Sequence, residues 1–397
     1  RFVKLERMKA AGRERDFLVL EYAEQDRLFV PLDQISMVQK YVAPESNPQL
    51  DHLGRASFKK IREKVEKNIE AFAEELIQIY AARAKKQGYA FPADTVWQEE
   101  FEAEFPFDET PDQLMAIQAA KEDMEAPRPM DRLICGDVGY GKTEVAIRAV
   151  FKAVMGGKQA VVICPTTILA LQHFKNFRER FANFPVRVDW VSRFRTPGEI
   201  RRIKESLASG EVDVVIGTHA LLAKDVKIRN LGLLVIDEEQ RFGVVHKEAL
   251  KKLKTQVDVL TLSATPIPRT LHLSLTGIRD LSVIQTPPRD RKPVQTFVLE
   301  DSDAALIEAV HRELERGGQI FYLHNRIQSL DMVGARLRML LPELRFTTLH
   351  GQMHEDDIEQ ILLDFTERKF DLLLTTAIIE NGIDIPNVNT LIVDRAD

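Results

Sequence analysis

The chain has 397 residues, of which 44% are hydrophobic and 29% are charged, and its formal net charge is −6 at pH 7. This length allows two or three domains with separate cores, and the composition is that of an ordinary globular protein. No apolar run approaches the roughly 18 residues that a membrane-spanning helix needs, so a membrane protein is not expected. The mild net acidity neither favours nor excludes nucleic-acid binding, because a groove can be basic on an acidic protein.

The cysteines and the first residues bear on the cellular compartment. Cys135 and Cys164 lie in apolar, strand-like runs, which favours core positions over a disulfide or a metal site and fits a reducing cytoplasm. The chain opens on Arg1 and several charged residues follow by Lys9, so no signal peptide is visible. We expect a cytoplasmic protein whose native start lies upstream of Arg1.

Residues 1–43 are predicted to form a small β-rich module. The runs 17–22 and 28–30 are rich in β-forming residues, and the polar residues 23–26 between them predict a hairpin. Pro31 directly follows the second run and indicates an edge strand. Two prolines within 44–48 mark a linker beyond this module.

A long helix is predicted after this linker. From Phe58 to Ala84 the apolar residues recur every three or four positions, and the pattern ends before Gly88. Linker and helix together take up residues 44–104. The helix is either a lever that connects the β module to the remainder of the chain or a helix that only packs on a core, and the sequence leaves both open.

Residues 136–143 read Gly-Asp-Val-Gly-Tyr-Gly-Lys-Thr, which fits the phosphate-binding pattern G-x-x-x-x-G-K-[ST]. An apolar strand-like run precedes this segment and a helical pattern follows it, which is the context that a P-loop needs. Its glycines, Gly136, Gly139 and Gly141, let backbone N–H groups converge on phosphate oxygens at a helix N-terminus. Lys142 would reach the β- and γ-phosphates and Thr143 would offer its hydroxyl to Mg²⁺. The segment therefore predicts ATP and Mg²⁺ as cofactors.

Short apolar runs alternate with helical patterns over the remainder of the chain, which predicts parallel α/β sheets. A first series of strands is predicted at 133–135, 160–164, 186–191, 212–216, 231–236 and 257–262. A second series is predicted at 295–299, 319–323, 346–349, 372–375 and 390–393. The Pro-Pro-Arg-Asp-Arg segment at 287–291 separates them. We predict a first lobe over 105–286 and a second lobe over 287–397 that is incomplete at its C-terminus.

Asp237 and Glu238 directly follow one of these predicted strands. Carboxylates at the end of a parallel strand, about a hundred residues after a P-loop, fit a Walker B motif. Asp237 would then hold Mg²⁺ through water and Glu238 would polarise the attacking water, the alternative being an acidic surface turn. The Ser-Ala-Thr-Pro segment that begins at Ser263 closes the next strand at the same sheet edge, where its hydroxyls can link the phosphate site to the other lobe.

Phe107 and Gln113 precede the P-loop and form a candidate base site. An aromatic ring can stack on a base and an amide can read the polar edge of that base. However, Thr110 and Pro111 between them are also a simple helix start, with a capping threonine and a proline at the first position.

Six segments occur in the order seen in superfamily 2 helicases: 136–143, 165–170, 217–222, 237–240, 263–270 and 379–386. They resemble the RecG-like branch most closely and, within it, the bacterial transcription-repair coupling factors. Arg241-Phe242-Gly243 and the segment 105–113 strengthen this resemblance, which covers essentially the whole chain. The resemblance implies two RecA-like lobes, preceded by an RNA-polymerase-interacting module at 1–43 and a relay helix. It also implies an ATP-dependent translocase on double-stranded DNA that acts on stalled RNA polymerase and couples transcription to repair.

The resemblance further implies roles for individual residues. Lys142, Thr143, Asp237 and Glu238 would handle phosphate, metal and water, and Phe107 and Gln113 would contact adenine. Gly382 and Asp384 would approach the nucleotide from the second lobe. The residues that would line the DNA groove, mostly through phosphates, are Thr166, Thr167, Thr218, His219, Asn325, Arg326, Thr375 and Thr376. Nucleotide-excision-repair proteins would bind through other parts of such a protein.

Two departures from the family pattern affect these expectations. Gln240 stands where the family usually has histidine. An amide can still donate and accept hydrogen bonds, so this difference affects the expected coupling of ATP hydrolysis to DNA binding rather than the nucleotide site itself. The arginine-bearing Gln-x-x-Gly-Arg-x-Gly-Arg segment is not reached before Asp397, and arginines of this kind can be worth about 10³ to 10⁵ in rate. We therefore expect a fragment that binds nucleotide and hydrolyses it very slowly. Two alternatives are a RecG-like helicase that remodels replication forks and a polymerase-binding module with inactive ATPase lobes.

Overall fold

The computed structural model describes residues 2–10, 13–23, 26–31, 87–243, 246, 249–250, 253–254, 257–264, 279–289, 291, 294–376 and 384–394. The linker at 44–48 and the whole of the helix predicted over 58–84 lie within 32–86, which is outside these residues, as is Gly382. The chain divides into two units, Arg1–Ile79 and Tyr80–Asp397.

The first unit contains an antiparallel sheet with the strand order β1 (Phe2–Ala10), β2 (Arg13–Glu21) and β3 (Arg27–Pro31). The predicted hairpin is confirmed, with Phe17 opposite Pro31 in the edge strand β3. β1 was not predicted because charged residues interrupt its apolar pattern. In the middle strand Val19 is fully buried, whereas Leu5 of β1 is 58% exposed.

The first lobe of the second unit is a seven-stranded parallel sheet with helices between its strands. Its elements are α1 (Val96–Ala103), α2 (Pro111–Glu125), β4 (Asp131–Gly136), α3 (Lys142–Met155), β5 (Gln159–Ile163), α4 (Thr167–Arg180), β6 (Val188–Val191), α5 (Pro197–Ser209), β7 (Val214–Gly217), β8 (Leu231–Asp237), β9 (Asp258–Ser263) and β10 (Asp280–Ile284). The strand order is β10-β4-β9-β8-β5-β7-β6. The predicted parallel sheet is confirmed, and β10 is an additional strand.

Helices cover both faces of this sheet, which explains why its strands are continuously apolar. Successive residues of β5 point to opposite faces, so that Val162 packs in one core cluster and Val161 in the other. Phe101 of α1 is fully buried and stacks on Phe151 of α3 with ring centroids 4.2 Å apart. The core of this lobe thus includes residues before 105.

The second lobe is a four-stranded parallel sheet with the order β12-β13-β11-β14. Its elements are α6 (Asp303–Glu315), β11 (Gln319–His324), α7 (Ile327–Leu340), β12 (Phe346–Leu349), α8 (Glu355–Thr366), β13 (Leu372–Thr375) and β14 (Val388–Asp394). The strand predicted at 295–299 is wrong, because these residues form no strand and Val298 is 95% exposed. β-Branched residues favour a strand only where a pleated surface can pack, and within the described part of the chain no strand pairs with this segment.

Two further expectations concern cysteines and membranes. Cys164 is buried and Cys135 is half-buried, and both are free thiols. Burial raises the pKa of each thiol, which for Cys164 lies well above its usual value. The predicted core position is confirmed for Cys164, whereas Cys135 is only half-buried. Of the helices that the structure describes, none has both the length and the apolar character needed to cross a bilayer.

Candidate nucleotide site and nucleic-acid groove

The predicted P-loop connects the end of β4 to the start of α3. Gly139 and Gly141 have φ angles of 78° and 80°, a left-handed conformation that side chains with a Cβ disfavour. The Lys142 ammonium donates hydrogen bonds to the carbonyls of Gly136 (2.7 Å) and Asp137 (2.9 Å). The loop is therefore folded at a helix N-terminus, and its lysine occupies the inside of the turn that would receive phosphate oxygens.

Gln113 supports this loop from the side. Its amide oxygen accepts a hydrogen bond from the Thr110 backbone N–H (2.8 Å), which completes a capping box at the start of α2. Its amide nitrogen donates to the Tyr140 carbonyl at 2.9 Å. Both polar ends of Gln113 are thus used within the protein, and the adenine contact predicted for it stays a prediction. Phe107, the other predicted adenine contact, is 61% exposed and accessible to a base.

Asp237 and Glu238 lie at the same sheet edge as the P-loop. Asp237 is the last residue of β8, which is separated from β4 by β9 alone, and all three strands are parallel. Burial lowers the pKa of Lys142, and the negative charges of Glu238 and Asp237 oppose this shift. The lysine and both carboxylates therefore share one electrostatic environment.

Glu238 is held in a strained conformation, with a φ angle of 48°. Its carboxylate accepts hydrogen bonds from the Ala264 backbone N–H (2.9 Å) and the Ser263 hydroxyl (3.4 Å). The Gln240 amide donates to the same carboxylate. Gln240, which stands where the family usually has histidine, thus still donates a hydrogen bond to Glu238. Ser263 also contacts Glu238, in agreement with its predicted place at the same sheet edge.

Glu239, the next residue, has a structural role. Burial alone would raise the pKa of its carboxyl group, but Lys254 and Arg279 outweigh burial and lower this pKa to about 2. Both cations make ion pairs with it. The short 3₁₀ helix Glu239–Arg241 is therefore anchored by ion pairs between its first side chain and two cations.

Two residues of α4 that the sequence did not single out lie next to these groups. The His173 ring nitrogen Nε2 is 2.9 Å from the Asp237 carboxylate, and His173 is 7% exposed. Gln172 makes hydrogen bonds to the backbone of Asp384 in the second lobe. From sequence alone, a histidine four residues after the apolar Leu169 would be assigned to the core. Its partner Asp237 lies on a strand 64 positions away, so no local pattern indicates this contact.

The predicted DNA-groove residues of the first lobe follow β5 and β7. The Thr166 hydroxyl accepts from the Leu169 N–H at 3.3 Å and caps α4. Thr167 and Thr218 are buried, with 5% and 8% of their surface exposed. His219 is exposed, and its ring stacks on that of His246 at 4.3 Å. His219 is thus the most accessible of these four residues.

In the second lobe the predicted groove residues follow β11 and β13. Asn325 and Arg326 are exposed at the start of α7. Thr375 is fully buried and its hydroxyl donates to the Thr376 carbonyl at 2.8 Å, and Thr376 is itself buried. The side chains of the two threonines are therefore not presented at the surface. Asp384 is exposed, and Gly382 lies outside the described residues.

The oxygen atoms that could bind a metal ion at this sheet edge fit a nucleotide with bound Mg²⁺. Thr143, Asp237 and Glu238 offer a hydroxyl and two carboxylates, the oxygen ligands that Mg²⁺ prefers. Across the described ranges, no three or more His, Cys, Asp or Glu side chains form a cage for a metal ion.

Family comparisons agree with this architecture. Residues 110–273 match the DEAD/DEAH box helicase family, residues 302–397 the helicase conserved C-terminal domain, and residues 1–42 the CarD-like/TRCF RID domain. The chain is 53% identical over its whole length to transcription-repair-coupling factors of Staphylococcus aureus and Staphylococcus haemolyticus. It spans 34% of the length of these relatives.

Solved structures show the same fold. A structure of RecG bound to a three-way DNA junction superposes with a TM-score of 0.68 at 29% identity, covering 96% of this chain and 59% of RecG. The Mycobacterium smegmatis helicase Lhr, bound to single-stranded DNA and AMP-PNP, gives a TM-score of 0.53 at 18% identity over 75% of this chain and 43% of Lhr. The Lhr match concerns the fold alone. Together with the sequence matches, these likenesses show that the chain is similar over its whole length to a segment of transcription-repair-coupling factors and shares its fold with RecG.

Proposed function

We propose that this chain is the polymerase-binding and motor segment of an ATP-dependent translocase on double-stranded DNA. It would act on stalled RNA polymerase and couple transcription to DNA repair. The observation that carries this proposal is the 53% identity to transcription-repair-coupling factors, which extends over the whole chain and so includes the N-terminal sheet and both lobes.

The nucleotide site supports the energy-converting part of the proposal. Lys142 lies inside the P-loop turn, and the carboxylates of Asp237 and Glu238 act on its charge. Glu238 is oriented by Ala264, Ser263 and Gln240, as a residue that polarises an attacking water must be. When bound, Mg²⁺ would neutralise charge on the phosphates, with Thr143 and Asp237 as its protein ligands.

The groove at the carboxyl ends of the strands is proposed to hold DNA. His219 in the first lobe and Asn325 and Arg326 in the second lobe offer exposed donors. Donors of this kind can bind backbone phosphates, and if phosphate contacts dominate we expect binding that ignores sequence and weakens steeply with salt. Thr166, Thr167, Thr218, Thr375 and Thr376 would contribute mainly through backbone groups, because their side chains cap helices or are buried.

The N-terminal sheet is proposed to bind RNA polymerase. Residues 1–42 match a domain named for the CarD-like and TRCF families. Phe2 and Leu5 of β1 are each 58% exposed, and Phe29 of β3 is 38% exposed. Large apolar side chains exposed on a small sheet are typical of a protein-binding surface. Nucleotide-excision-repair proteins and a cytoplasmic location also belong to this proposal as predictions.

A capture experiment tests the polymerase-binding part. The immobilised chain should retain purified RNA polymerase, and Val19→Asp should abolish retention because a carboxylate cannot be buried at the centre of β2. Nucleotide binding should survive in this variant, since the P-loop lies in the other unit. Val298→Asp, a matched change at an exposed position, should behave as wild type.

A fork-remodelling helicase is the second candidate, because the RecG structure superposes over 96% of the chain. The two functions differ in their partners. A chain that fails to retain polymerase but prefers a three-way DNA junction to a plain duplex would support fork remodelling and contradict the first proposal.

A further inference from the structure

Helix α4 is shared between the two lobes. Ile168, near its start, packs in the core of the second lobe with Ile385 and Leu373. Leu169 and Phe177 of the same helix pack in the core of the first lobe. The helix therefore presents one stripe of side chains to each lobe, and residues four apart continue each stripe.

Gln172 continues the stripe that faces the second lobe. Its amide nitrogen donates to the Asp384 carbonyl, and its amide oxygen accepts from the Asp384 backbone N–H at 3.5 Å. A single amide thus pairs with both backbone groups of one residue, much as a neighbouring strand would. This contact depends on where the segment around Asp384 lies, and therefore on the position of the second lobe.

His173 continues the stripe that faces the first lobe. Its Nε2 lies 2.9 Å from Oδ2 of Asp237, and both side chains are largely shielded from solvent. Among the described residues, its other nitrogen, Nδ1, has no hydrogen-bond partner. The contact to Asp237 is thus the polar interaction that fixes this ring, and in turn the ring fixes one oxygen of the carboxylate.

We propose that Gln172 and His173 are positioning residues, in which His173 orients the Asp237 carboxylate for Mg²⁺ and Gln172 ties that orientation to the second lobe. The two residues are adjacent on one helix, so a change in the Gln172 contact with Asp384 acts on the backbone that carries His173. Residues that orient a metal ligand commonly change metal affinity about 10- to 100-fold when removed. This inference rests on the proposed nucleotide site and adds to it the two residues that would make Mg²⁺ binding depend on the second lobe.

The test is equilibrium binding of a fluorescent ATP analogue to the whole chain, in Mg²⁺ and in EDTA. His173→Asn places its amide at the position of Nδ1 and cannot reach Asp237, whereas His173→Gln places an N–H near the position of Nε2. We expect His173→Asn to lose about 10- to 100-fold in affinity in Mg²⁺ and little in EDTA. His173→Gln should restore most of the loss, a pattern that a merely structural histidine would not give.

Gln172 is tested in the same titration. Gln172→Ala should weaken binding in Mg²⁺ by a smaller factor than His173→Asn, and the double variant should bind no more weakly than His173→Asn alone, because both act through one contact. Glu179→Ala, a change at an exposed position in the last turn of the same helix and beyond both contacts, is the control.

The outcomes separate the two claims. A wild-type chain that binds no nucleotide in either buffer would contradict the proposed function. A chain that binds nucleotide but shows equal Mg²⁺ dependence in wild type, His173→Asn and His173→Gln would overturn the role of His173. No effect of Gln172→Ala, or losses that multiply in the double variant, would overturn the link to the second lobe.

Discussion

Gly141 is the residue at which the shape of the phosphate loop is most constrained. Its φ angle of 80° is left-handed, and a Cβ built at this position would lie 2.4 Å from the Gln113 amide nitrogen. Gly139 has nearly the same φ angle, but a Cβ built there would meet no atom within 4 Å. The two glycines therefore separate the cost of backbone strain from the cost of displacing Gln113.

This difference gives a prediction on stability. Gly139→Ala should cost about 1 kcal/mol for the left-handed conformation alone. Gly141→Ala should cost at least about 1 kcal/mol more, because Gln113 must give up its bond to Tyr140. Both tryptophans, Trp97 and Trp190, lie in the first lobe, so denaturant unfolding followed by their fluorescence measures this lobe. Equal losses in the two variants would show that Gln113 does not brace the loop.

For individual residues, the sequence predicted those that belong to a local motif. It missed those whose partners are distant in the chain and are brought close only by folding. Lys142 and the acidic pair follow strands in a fixed pattern, and they share one sheet edge as expected. His173 and Gln172 carry no such pattern, since their partners lie on β8 and in the second lobe. Gln113 was found, but its amide is used within the protein. The site roles inferred from motifs stay predictions.

Among the elements, the segment 295–299 shows the limit of β propensity. Phe297, Val298 and Leu299 would suit a strand, yet they are 69%, 95% and 71% exposed. The strands that were confirmed, such as β11 and β13, instead lie between neighbours and under helices. β1 is the opposite case, a strand that exists but was not predicted. Its charged residues hide the strand pattern in the sequence, and its pairing with β2 stabilises it.

Val298, which is exposed, and Val310, which is buried, allow this difference in packing to be tested by mutation. Val310 is fully buried in α6, so Val310→Ala should destabilise the second lobe by about 2 kcal/mol. Val298→Ala should change stability by less than about 0.5 kcal/mol. Amide hydrogen exchange in β11 reports the difference, since opening of this lobe exposes that strand. A large effect of Val298→Ala would mean that the segment is packed in solution.

At the scale of the whole second unit, the two lobes meet through α4 and through charges. The Arg193 guanidinium, in the loop after β6, lies 2.5 Å from Asp356 and 2.6 Å from Glu359 of α8. Separately, Gln172 of α4 makes hydrogen bonds to the backbone of Asp384 in the second lobe. Under the proposed function, the cleft between the two lobes would open and close around ATP. The very slow turnover expected of this chain stays a prediction.

The most direct measurement is a binding titration of a fluorescent ATP analogue with the whole chain and two lysine variants. Wild type should bind saturably in Mg²⁺, and Lys142→Ala should bind at least about tenfold more weakly, because a charge-assisted hydrogen bond to phosphate is lost. Lys158→Ala removes the same charge at a lysine that instead contacts Tyr89 and Asn230, and should match wild type. Absence of binding in wild type, or equal affinity in Lys142→Ala, would contradict the account of the chain as an ATP-driven motor segment.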